Sequence, residues 1–97
     1  MEIVVKVKDI KGHCPVYKVG DSFALKAGYQ LVSEIPVCMH GLSSLMPYYN
    51  ALRVSEPRVW GLDSKDQGDK TKAYIQCSDP VSYTGGGTVT FEISKIE

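Results

Sequence analysis

The chain has 97 residues and a mass of 10.7 kDa, which suits one domain with one core. Eleven basic residues balance 11 acidic ones, giving a net charge of zero and a pI near 6.7. That excludes the usual electrostatic footprint of a general nucleic-acid binder or of a protein bound to anionic membranes. Three cysteines are an odd number, so a fully paired disulfide framework within one chain is excluded too.

Residues 2–8 alternate. Ile3, Val5 and Val7 share one face, and Glu2, Lys6 and Lys8 share the other with Val4. This period of two predicts a half-buried strand. The N-terminus has no basic lead before a long apolar run, so no export signal is expected. With free thiols, this points to the cytosol. No apolar run nears the ~18 residues that span a bilayer. Gly12 and Pro15 punctuate a loop over 11–20. A short strand is expected at Ser22–Leu25, a turn at Ala27-Gly28, and a second short strand at Tyr29–Val32.

The period changes over 38–53. Cys38, Leu42, Leu45, Tyr49 and Leu52 make one apolar stripe at helical spacing. Pro47 lies inside it and lacks an N–H for the carbonyl of Ser43. The expectation is one kinked helix or two short ones. Residues 54–71 read as an irregular connection anchored on the core by Trp60 and Leu62. Residues 72–78 alternate again, with Ala73, Ile75 and Cys77 on one face, until Asp79-Pro80 ends the strand. The clearest strand is 88–96, with Val89, Phe91 and Ile93 inward and Thr90, Glu92 and Ser94 outward.

Four to five short strands and one kinked helix, without a repeated βαβ pattern, predict an α+β domain over 1–97. Its sheet should be mostly antiparallel, with the first and last strands paired at its centre.

Cys14, Cys38, His40 and Cys77 are the residues most suggestive of chemistry. Three thiolates and an imidazole are a complete tetrahedral donor set for zinc, with His13 as a spare. The spacing is not a zinc signature, because there is no C-x-x-C pair. In a regular helix Cys38 and His40 would point about 200° apart. Buried free cysteines acting as small hydrophobes are the plainer reading. The same residues also allow thiol chemistry, with Cys38 reacting, His40 as its base and Cys14 or Cys77 as a resolving thiol.

The run Thr84-Gly85-Gly86-Gly87-Thr88 suggests a phosphate loop, but no Gly-Lys-Ser/Thr follows and the next element is a strand. A structural loop is the plainer reading, and a backbone anion nest at Gly85, Gly86 and Gly87 the sharper one. Asp63, Asp66 and Asp69 around Gly68 lack the spacing and distal glutamate of an EF-hand. Tyr48, Tyr49, Tyr74, Tyr83 and Trp60 are candidates to line a pocket or an interface. No Ser-His-Asp order, HExxH or paired-carboxylate pattern is present, so the balance leans away from an enzyme.

Gly12-His13-Cys14-Pro15-Val16-Tyr17-Lys18-Val19-Gly20-Asp21, Cys38-Met39-His40 and Tyr83-Thr84-Gly85-Gly86-Gly87-Thr88-Val89 with Phe91-Glu92-Ile93 together resemble a family of small prokaryotic proteins of about this length, common in anaerobic bacteria and archaea. The family has no assigned activity, so the resemblance implies no catalytic residue. Its Cys-Pro and Cys-x-His elements imply a metal or thiol role.

The sequence therefore leads to a small cytosolic binding or interaction module, with a possible zinc site at Cys14, Cys38, His40 and Cys77. Nucleic acid and membrane are not expected as partners. The rivals are a thiol-dependent redox protein or small enzyme using Cys38, and a homo-oligomer joined through an exposed strand edge or tyrosines.

Overall fold

A computed structural model describes residues 2–66 and 71–96. Gly68 and Asp69 of the acidic loop lie outside the described residues. The described residues form a five-stranded, wholly antiparallel sheet of β1 (Glu2–Gly12), β2 (Ser22–Lys26), β3 (Gln30–Val32), β4 (Lys72–Gln76) and β5 (Gly87–Ile96), in the order β3-β2-β1-β5-β4, accompanied by short helices. The expected α+β class is present, with the first and last strands paired at the centre.

β1 (Glu2–Gly12) follows its alternation and buries Ile3, Val5 and Val7. It runs four residues beyond the alternating stretch, because Val89, Thr88 and Gly87 of β5 (Gly87–Ile96) continue the ladder opposite Ile10, Lys11 and Gly12. A bulge between Val7 and Asp9 absorbs the extra residue, Lys8. β2 (Ser22–Lys26) and β3 (Gln30–Val32) form a hairpin. Its turn puts Ala27 at φ 58° and Gly28 at φ 83°, and the Tyr29 N–H closes on the Lys26 carbonyl at 3.2 Å. Two positive φ values in succession match the right-handed twist of the flanking strands.

The stripe over 38–53 becomes two helices, α1 (Met39–Leu45) and α2 (Tyr49–Val54). The Met46 N–H still reaches Leu42 at 2.9 Å, Pro47 has nothing to donate, and the Tyr48 N–H tightens onto Leu45 at 3.0 Å. The inner faces of α1 and α2 supply Leu45 and Leu52 to the core. Gly41 lets α1 settle on Phe91, since a Cβ there would stand 2.7 Å from the ring. Phe91 is fully buried and meets Tyr17 and Phe23 edge-on.

Trp60 does not anchor the connection as expected. It ends a single 3-10 turn (Pro57–Trp60), is 48% exposed, and donates its indole N–H to the Ser55 hydroxyl at 2.9 Å. Pro57 is buried and Leu62 packs against the core instead. β4 (Lys72–Gln76) pairs with β5, and its free edge receives the Leu62 carbonyl on the Tyr74 N–H at 2.9 Å. The last helix, α3 (Val81–Thr84), is a single turn leading into the glycine run.

Glu92 points outward as expected but is buried on that face, because Lys8, Lys72 and Tyr74 close over it. No helix among the described residues is long and apolar enough to cross a membrane.

Candidate functional site

The central ladder ends at the pair Gly12 and Gly87. Beside that end lies a cavity of about 280 Å³. Four separate segments wall it: Cys14 to Tyr17, Cys38 with His40 and Gly41, Cys77 with Asp79, and Gly86 with Gly87 and Val89. All four residues of the expected zinc set therefore share one cavity, although they are far apart in sequence. So do two of the three glycines.

The approach of these segments depends on glycine at one point above all. A Cβ on Gly87 would lie 2.6 Å from the backbone carbon of His13 and 2.8 Å from the Cys14 nitrogen, closer than non-bonded atoms allow. The His13 N–H donates to the Gly86 carbonyl at 3.0 Å and fixes the 13–17 loop against the glycine run.

Tyr17 then crosses beneath the cavity. Its ring is buried, stacked at 14° to Phe23 and perpendicular to Phe91. Its N–H donates to the Cys14 Sγ at 3.3 Å, and its hydroxyl accepts the Cys38 N–H at 2.8 Å. Burial pushes the Tyr17 hydroxyl above its ordinary pKa; the Cys38 N–H opposes this, and the nearby Cys38, Cys14 and Asp21 add to it.

The thiols differ in their surroundings. Cys77 is buried; its Sγ accepts the Val89 N–H at 3.3 Å and donates to the Gly87 carbonyl at 3.6 Å. Its own N–H bonds the Val89 carbonyl at 2.9 Å, so the thiol stands where the next ladder carbonyl would. Cys14 and Cys38 are half-buried, and His40 is exposed. Among the described residues, no three His, Cys, Asp or Glu side chains gather as ligands of one metal ion. The four residues of the expected zinc set share one lining. One thiol is committed to the sheet, a second accepts a loop N–H, and the imidazole lies toward solvent.

The glycine run is organised from within the chain. The Gly85 N–H bonds the Val81 carbonyl at 2.9 Å, the Gly86 N–H the Thr84 hydroxyl at 3.1 Å, and the Gly87 N–H the Asp79 Oδ2 at 3.3 Å. Asp79 also accepts the Thr84 hydroxyl on Oδ1, and its carbonyl accepts the Thr88 hydroxyl. An external anion at Gly85, Gly86 and Gly87 would have to displace the carboxylate that already holds the loop.

Sequence reasoning passed over two residues. The sequence offers Asp79 only as the end of a strand, because the groups it holds, Thr84 and Gly87, lie beyond the reach of a local turn signature. Tyr17 was not among the tyrosines singled out. Of those, Tyr74 borders a shallow depression with Asp63 and Thr90, the Tyr49 hydroxyl holds the Gly28 carbonyl at 2.9 Å, and Tyr83 is exposed.

No protein-family model, curated protein or solved structure matches this chain.

Proposed function

We propose that this protein is a small-ligand binding module whose site is the cavity lined by Cys14, Tyr17, Cys38, His40, Cys77 and Asp79. The observation that carries the reading is the cavity itself: about 280 Å³, walled by four chain segments and closed by a glycine that admits no side chain. Small-molecule sites are concave, largely apolar and furnished with a few converging polar groups, and this lining fits that description. The balanced charge supports a partner other than nucleic acid. The motif resemblance belongs to the same proposal, since Cys14-Pro15 and Cys38-Met39-His40 are the stretches around the cavity.

The test is a fragment screen read by amide NMR on the intact protein. Hits should move the Tyr17, Cys38, Gly41 and Gly87 amides together; a screen that leaves all four unmoved rules the reading out. Thiol chemistry at Cys38 is the second reading, favoured because Cys38 and His40 line one cavity. Reaction with a small aromatic disulfide should then place one mixed disulfide on Cys38 faster than on free cysteine. A rate no faster than free cysteine removes this reading.

A further inference from the structure

We infer that the cavity takes a small uncharged ligand bearing a carbonyl-type acceptor on an apolar body, with the Tyr17 hydroxyl donating to that acceptor. This rests on the cavity being the binding site proposed above.

Tyr17 lines the cavity and is only 5% exposed. Its ring packs against both Phe23 and Phe91, so its hydroxyl position is set before any ligand arrives. The hydroxyl accepts the Cys38 N–H at 2.8 Å. A phenol also has one proton to donate, and among the described residues no acceptor takes it. Buried polar groups ordinarily use their donors, so a buried donor without an acceptor, on a residue that lines the cavity and bonded to another that does, points to an acceptor brought from outside. Burial, which raises the Tyr17 pKa, keeps the phenol in its donating form.

The rest of the lining selects against charge. It contains the Asp79 carboxylate and no lysine or arginine, while Pro15, Val16, Val89 and the sulfurs are apolar or weakly polar. An anionic acceptor would meet Asp79 with only the solvent-exposed His40 imidazole available as a counter-charge. A cavity of ~150 Å³ holds benzene, so 280 Å³ accommodates a substituted six-membered ring.

The experiment titrates the intact protein with acetophenone, its isostere α-methylstyrene, which lacks the acceptor, and benzoate, all read by amide NMR. Acetophenone should move the Cys38, Gly41 and Gly87 amides and bind about tenfold tighter than α-methylstyrene, the order of one hydrogen bond. In Tyr17→Phe, which keeps the ring, acetophenone should weaken about tenfold while α-methylstyrene changes less than twofold. Equal affinities for the two probes in the parent protein overturn the inference and leave the cavity as a binding site. So does an acetophenone affinity indifferent to Tyr17→Phe. Benzoate binding more tightly than acetophenone overturns the preference for an uncharged ligand. If none of the probes moves the cavity amides, the inference fails, and the fragment screen decides whether the binding reading fails with it. The parent comparison stands even if Tyr17→Phe fails to fold for want of an acceptor for the Cys38 N–H.

Discussion

At Cys77 the thiol holds a buried backbone donor, the Val89 N–H, at 3.3 Å. Removing the sulfur leaves that donor without a partner beside the cavity. Cys77→Ala is expected to lower stability by about 1–3 kcal/mol, seen as a lower urea midpoint with an unchanged slope. Glu92 is the other residue whose surroundings decide its behaviour. Burial alone would raise its pKa, but hydrogen bonds from Tyr74 and Lys72 and the charges of Lys72 and Lys8 outweigh burial and hold it below the ordinary carboxylate value. A carboxyl depressed on folding stabilises the protein above its unfolded pKa, and that contribution is lost as pH falls through the folded value. Glu92→Gln should therefore cost about 1–2 kcal/mol at neutral pH. The difference from the parent should shrink toward zero in acid, below the carboxylate range. Urea melts at neutral and acid pH check this; a penalty independent of pH would assign the cost to packing instead.

Two turns carry the predictions at the scale of elements. The β2–β3 hairpin places an alanine at φ 58°, where a Cβ crowds the following carbonyl. Ala27→Gly should stabilise the protein by about 0.5–1 kcal/mol, net of glycine's greater unfolded freedom, and raise Tm by a few degrees in a thermal melt. The glycine run offers a paired comparison. Gly85 has φ 71° with open space around it, whereas a Cβ on Gly87 would overlap the His13–Cys14 backbone. Gly85→Ala should cost about 1–2 kcal/mol through backbone strain alone. Gly87→Ala should cost more, about 2–4 kcal/mol, because main chain must move. It should also shift the amides around the cavity; equal losses at the two positions would mean that the approach of β5 to the 13–17 loop is soft.

The scale of the whole molecule is where the three cysteines acquire different fates. In native protein a thiol reagent should label Cys14 and Cys38 and reach the buried Cys77 only on unfolding. Elemental analysis of protein purified without chelator tests zinc at Cys14, Cys38, His40 and Cys77, which share one cavity. One equivalent of zinc with loss of titratable thiols would show that the segments close further than they do here.

Much of the fold was legible in the chain because its causes are local. Alternation at Ile3/Val5/Val7 and Val89/Phe91/Ile93 specifies strands that hide one face. A stripe interrupted by Pro47 specifies helix and break alike. The site was legible only in its membership. Cys14, Cys38, His40 and Cys77 were nameable as residue types able to do chemistry, yet whether their donor atoms meet depends on loop paths set by contacts distant in sequence. The fate of Glu92 likewise depended on Lys8 and Tyr74, brought beside it by strand register. Tyr17 and Asp79 gained their roles only beside the end of the β1–β5 ladder. The sequence by itself determined the α+β class and the positions of its main strands and helix break, because side-chain period and turn chemistry act over a few residues. Only the tertiary structure decided that four distant segments enclose one cavity, because that outcome rests on ångström-scale closure between segments that no local pattern encodes.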